Sequence, residues 1–134
     1  MLVGFGVIVF GALIAFAVFH SVAPSPNDAL AQCLTDKGVK MYGAWFCPHC
    51  AAQKEAFGTA FHYVTYVECA AADKSELQVC KDAGIKGYPT WIYPDGTKLD
   101  GEQPLTKLAE KAGCEAPSTS GETSSPSAST PSNP

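Results

Sequence analysis

The chain has 134 residues, enough for one small core, with 46% apolar residues and a formal net charge of −4. Nine Lys and no Arg, against thirteen Asp plus Glu, leave no basic stripe and exclude recognition of nucleic acid through its phosphates. Six Cys form an even set, the usage of an oxidising, exported setting in so short a chain.

Residues 2–19, LVGFGVIVFGALIAFAVF, carry no charge and, as a helix rising about 1.5 Å per residue, approach the thickness of a bilayer core. Two readings stay open for 1–20: an uncleaved transmembrane anchor and a cleaved signal peptide. No Lys or Arg precedes the run, and cleavage after Ala23 would leave Pro24 behind the cut, which weighs towards the anchor. Both readings place the remainder of the chain outside the cytoplasm. Loop charge specifies the orientation poorly, because the first Lys is Lys37. Residues 21–26, SVAPSP, read as a linker, and 115–134, almost wholly Ser, Thr, Pro and small residues, as a disordered tail. The domain is 27–114.

Within it, Ala29, Leu30, Cys33 and Leu34 share a helical face that opens near Asn27-Asp28 and stops at Gly38. Val39 to Ala44 reads as a strand running into Cys47-Pro48-His49-Cys50, and a helix opens at or near Cys47. Tyr63 to Glu68 is rich in β-formers, and Asp73-Lys74-Ser75-Glu76 reads as a capping box for a helix to Ala83. Thr90–Tyr93 and Lys98–Asp100 flank Pro94-Asp95-Gly96 as a hairpin, and Leu105, Leu108, Ala109 and Ala112 stripe a last helix. The predicted order is α-β-α-β-α-β-β-α, a layered α/β fold.

The chemistry lies in the first cysteine pair. A thiolate is the attacking species in disulfide exchange, and the unpaired N–H groups and dipole of a helix N-terminus favour it. Cys47 sits at that end, Pro48 suits a first turn whose N–H has no partner, and Cys50 lies one turn in. Cys47 is therefore expected to attack and Cys50 to resolve the mixed disulfide. His49 is read either as a donor beside Cys47 that makes the disulfide more oxidising, or as a solvated loop residue. Haem attachment would need His after the second Cys, where Ala51 stands. A zinc site recruiting Cys69 and Cys80 has the wrong spacing, and a purely structural Cys47–Cys50 bridge would remove little chain entropy. Neither a metal nor another cofactor is expected. Downstream, Pro89 in Gly87-Tyr88-Pro89-Thr90 is read either as a cis proline freeing backbone groups for an extended substrate, or as a plain strand start.

CPHC at a strand-to-helix junction, followed by GYPT before a hairpin and a last helix, resembles the thioredoxin fold. MYGAWFCPHCAAQKEAFG, YVEC and GYPTWIYPDG are similar in particular to the thioredoxin-like domain of bacterial homologues of vitamin K epoxide reductase. The resemblance spans roughly 29–114. It implies a three-layer α/β/α domain that exchanges thiols and disulfides outside the cytoplasm. Cys47 would be the nucleophile, Cys50 the resolving residue, Tyr88 and Pro89 the cis-proline lip of the substrate groove, and Trp45 and Phe46 the apolar collar. Four departures stand out. No strand precedes the first helix, so the first strand of the fold is expected to be missing. Phe46 stands where many relatives have Trp. Met41 occupies the position, six before Cys47, at which reducing thioredoxins bury an acid. One apolar segment cannot make the quinone-reducing bundle, so a quinone link would run through a separate membrane protein.

Of the other cysteines, Cys69 and Cys80 are expected to bridge, stabilising the fold by roughly 2 to 3 kcal/mol, with a second redox relay as the alternative. Cys33 and Cys114 are left to pair by parity, against a layout that would put the first and last helices on opposite faces of the sheet. Two functions compete: a membrane-anchored, extracytoplasmic thiol-disulfide oxidoreductase acting on exported proteins, and a non-catalytic binding or scaffold module stapled by its disulfides.

Overall fold

The computed structural model describes residues 24–117. The apolar run at 2–19, the first half of the linker (21–23) and the tail beyond 117 lie outside the described residues. Among those described, no helix is long and apolar enough to cross a membrane.

Among the described residues nine elements occur in order: helix α1 (Asp28–Asp36), strand β1 (Lys40–Gly43), helix α2 (Pro48–Phe57), a 3-10 helix (Gly58–Tyr63), β2 (Tyr66–Glu68), α3 (Gln78–Asp82), β3 (Thr90–Ile92), β4 (Lys98–Asp100) and α4 (Leu105–Ala112). The four strands form one mixed sheet in the order β2-β1-β3-β4. β1 pairs parallel with β2, Met41 opposite Tyr66 and Gly43 opposite Glu68, and antiparallel with β3. The β3–β4 hairpin completes it. The element order is the α-β-α-β-α-β-β-α expected from the sequence, with the 3-10 helix added behind α2, and among the described residues no strand precedes α1.

The two faces are unequal. Alternation along the strands sends Met41, Trp91 and Tyr93 to one side, where they pack with Leu30, Ala31 and Leu34 of α1, Cys50 and Phe57 of α2, Ala60, and Leu108 and Ala109 of α4. Among the described residues the helix on the opposite side is α3, which packs there through Cys69, Cys80 and Ile85 against Tyr42, Val67 and Ile92. The first and last helices therefore share a face, contrary to the layout expected from the sequence. Cys33 and Cys114 form a disulfide between the end of α1 and the residue behind Gly113, with Cα atoms 6.0 Å apart. Gly113 (φ 66°) ends α4 in the left-handed region, which turns the chain back so that the N–H of Cys114 donates to Ala109 O.

Two elements differ from expectation. The strand expected from Tyr63 begins at Tyr66, because Gly58–Tyr63 continues α2 as a 3-10 helix that packs Ala60 and Phe61 into the core. Asp73-Lys74-Ser75-Glu76 does not cap a helix. Asp73 Oδ1 accepts from Ser75 N (3.0 Å) and Ser75 Oγ (2.6 Å), making a turn through Lys74 at φ 67°. Ala70 and Glu76 bridge, Leu77 N donates to Cys69 O, and the helix starts only at Gln78. A local side chain to backbone bond has displaced the first helical turn.

Candidate active site

Cys47 is the N-cap of α2, with extended backbone (φ −83°, ψ 120°) and no side chain capping the first turn. Its carbonyl accepts from Ala51 N, and Pro48 occupies the first turn without wasting a donor. The half-buried Cys47 Sγ thus stands at the positive end of a ten-residue helix with the donors of the first turn unclaimed by any side-chain cap. It approaches the Tyr88 carbonyl at 3.6 Å. Cys50, one turn in, is 1% exposed, and its thiol is pushed up to about 11, burial being the largest cause and Cys47 adding to it while Lys54 opposes. Neither sulfur is in a disulfide, so the pair is described in its dithiol form. One sulfur is reachable and the other shielded.

Tyr88-Pro89 is a cis peptide bond, with Pro89 buried and Tyr88 half-buried. Thr90 Oγ1 fixes this loop by bonding Gly87 O (2.8 Å) and Asp100 Oδ1 (2.9 Å), and Gly101 N donates to Pro89 O (2.7 Å). Trp45 and Phe46 are 54% and 40% exposed, edge to face at 5.3 Å, just before the cap. Trp45 is held by Glu68 Oε1, which accepts its N–H, and by its own indole N–H on Ala71 O. Lys74 Nζ lies 5.3 Å from the Phe46 ring centroid. The structure thus brings Trp45, Phe46, Cys47, Pro48, His49, Cys50, Tyr88 and Pro89 to one end of the sheet.

His49 is exposed, and its Nδ1 lies 2.5 Å from Glu102 Oε1. Gln53, buried on α2, sets this partner in place. Its Oε1 accepts from Gln103 N (2.7 Å) and Trp91 Nε1 (3.4 Å), while its Nε2 donates to Gln103 O (3.1 Å). Cys69 and Cys80 form a disulfide beneath α3, with Cα atoms 5.5 Å apart, and so do not join Cys47 and Cys50 as ligands. Among the described residues no cluster of three or more His, Cys, Asp or Glu could hold a metal.

Sequence reasoning gave no functional role to Lys54, Tyr66, Glu68, Glu102 or Gln53. Glu68 accepts three hydrogen bonds, from Trp45 N, Ala70 N and the Tyr66 hydroxyl. The available signal was the two-residue spacing of Tyr66 and Glu68, which puts both on one face of β2.

Among known proteins, the thiol-disulfide oxidoreductase LTO1 of Arabidopsis thaliana is 47% identical over 90 residues. The match takes in 63% of this chain and only 24% of that protein, so the chain spans about a quarter of its relative's length. Oxidized glutaredoxin 2 from Chlamydomonas reinhardtii aligns over 69% of this chain and 100% of its own, at 23% identity and a TM-score of 0.40. No family model matches the chain.

Proposed function

We propose that this protein is a thiol-disulfide oxidoreductase that exchanges disulfides with exported proteins through Cys47 and Cys50. The observation that carries the reading is the contrast of the two sulfurs. Cys47 is half-buried, on an uncapped helix end beside a backbone carbonyl, and Cys50 is sealed one turn behind it. Cys47 attacks a substrate disulfide, or receives a substrate thiolate when oxidised, and Cys50 closes or opens the internal bridge. Trp45, Phe46, Tyr88 and Pro89 form the surface against which an extended substrate lies. The activity for which the Arabidopsis relative is named supports this reading.

The finer reading is a membrane-tethered, extracytoplasmic domain of the kind attached to bacterial vitamin K epoxide reductase homologues. The apolar run at 2–19 and the resemblance of MYGAWFCPHC and GYPTWIYPDG support it. Its recycling partner would then be a separate redox protein of the membrane, quinone-linked in that family.

The test is a Cys50→Ala variant offered exported proteins. Accumulation of a mixed disulfide at Cys47, lost in Cys47→Ser, is the expected result, together with faster alkylation of Cys47 than of Cys50 in the reduced protein. No adduct, with substrates bound all the same, would leave the scaffold reading standing.

A further inference from the structure

Burial of Cys50 raises a problem that Met41 does not solve. To close the internal disulfide the Cys50 thiol must lose a proton inside an apolar layer, and Met41, at the position where reducing thioredoxins carry an acid, is fully buried and apolar. In the sheet, Met41 faces Tyr66 in register, and Gly43, two residues on, faces Glu68. Gly43 lies on β1 close to both α2 and β2: a Cβ there would stand 2.9 Å from Cys50 Sγ and 3.1 Å from the Tyr66 hydroxyl. The absence of a side chain at 43 therefore lets the sulfur and the hydroxyl share one small space. The Tyr66 hydroxyl donates to Glu68 Oε2 at 3.0 Å.

We propose that Tyr66 and Glu68 form the proton relay of Cys50, carried by the neighbouring strand in place of an acid on β1. The inference rests on the exchange activity proposed above and deepens it. With Cys47 joined to a substrate sulfur, the Cys50 proton passes to Tyr66 Oη, directly or through one water, as the tyrosine proton moves to Glu68 Oε2. The Cys50 thiolate attacks Cys47 Sγ, the Cys47–Cys50 bond forms, and the Cys47–substrate bond breaks. The bonding pair leaves on the substrate sulfur, which takes a proton from water, and half-buried Glu68 returns its own to solvent. The substrate disulfide is reduced by two electrons and the domain's dithiol is oxidised; in the opposite direction the same groups reprotonate Cys50 as it leaves. Tyr66 is held protonated at neutral pH, raised by burial and then by the bond to Glu68. The ionisable groups facing it are Cys50 and Cys47, Lys54 of α2 with Nζ 3.9 Å from its ring centroid, and Glu68 on its own strand. β1 contributes Met41 and Gly43, and the 3-10 helix contributes Phe61, none of which titrates.

The experiment mixes the full chain, with Cys47 and Cys50 reduced and both other bridges intact, with an aromatic disulfide that releases a coloured thiolate. A first release reports attack by Cys47 and a second, independent of reagent concentration, reports closure by Cys50. For Tyr66→Phe the second phase is expected to slow by about tenfold to a hundredfold at pH 7 with the first phase unchanged. The deficit should close as pH rises towards 11, where Cys50 ionises unaided. A second phase as fast as wild type, or one slowed equally at every pH, overturns the relay. If Tyr66→Phe does not fold, Glu68→Gln carries the same test with the same two outcomes. A wild-type chain that shows no second phase overturns the exchange activity itself, which keeps the two failures apart.

Discussion

The two faces of the sheet solve the same problem with different means. On one side α1, α2, the 3-10 helix and α4 bury Leu30, Leu34, Met41, Phe57, Trp91 and Leu108 in a continuous apolar cluster. On the other a five-residue helix covers Cys69, Cys80 and Ile85, too few side chains to match it, and a disulfide lies at the centre. On the packed face the Cys33–Cys114 bridge ties helices that packing already holds together; on the thin face, where apolar area is scarce, the Cys69–Cys80 link substitutes for it. The active site draws on both, taking its helix from the first face and, from the strand end beside the second, Glu68, which leads directly into Cys69.

The comparison is broken most sharply on the packed side. Phe57→Ala, at 0% exposure against Trp91 and Phe61, should cost about 3 to 5 kcal/mol of unfolding free energy, read by urea denaturation. Replacing Cys69 and Cys80 together by Ser should cost roughly 2 to 3 kcal/mol from loop closure. A cost on the thin face larger than that of Phe57→Ala would reverse the assignment of packing and stapling.

A third prediction concerns the sulfur buried in the packed face. The Cys50 thiol is raised from 9.0 to about 11, so the fold favours its neutral form. That contribution is fully present below pH 9, where the thiol is neutral folded or unfolded. It is lost as pH climbs through the window to 11, because the unfolded chain gives up the proton first. Reduced wild type should therefore lose more stability across this window than Cys50→Ala, measured by denaturant titration at each pH. Equal slopes would mean that Cys50 is not sealed in the packed layer. The smallest effect belongs to the exposed pair. Glu102→Gln should change stability by less than about 1 kcal/mol, since His49 and Glu102 both face water. It should nevertheless shift the equilibrium of the CPHC pair with glutathione, through the loss of the anion at His49 Nδ1.

Much of this plan was legible because it is local in sequence. The helix stop at Gly38, the junction at Cys47 and the hairpin around Pro94-Asp95-Gly96 depend on neighbours a few residues away, and the element order comes from them. Asp73-Lys74-Ser75-Glu76 misled because the same letters serve an Asx turn as well as a helix cap, and the pairing of Ala70 with Glu76 decides between them. The shared face of α1 and α4 was hidden, since no periodicity says to which side of a sheet a helix returns. The cluster of Gly43, Cys50, Tyr66 and Glu68 was hidden for the same reason: strand register brings it together, and Gly43 had no visible role until a neighbour was placed against it.

The bridge from Cys33 to Cys114 spans 81 positions and encloses the whole sheet, α2 and the cis-proline loop within one covalent ring. Tension applied between the chain before Cys33 and the chain after Cys114 therefore runs through a sulfur–sulfur bond and bypasses everything between. The exchange site is mechanically insulated: a tug on the two ends strains α1 up to Cys33 and leaves the CPHC helix unloaded. Cutting that one bond would turn an unstressed ring into a chain whose own fold must bear the force.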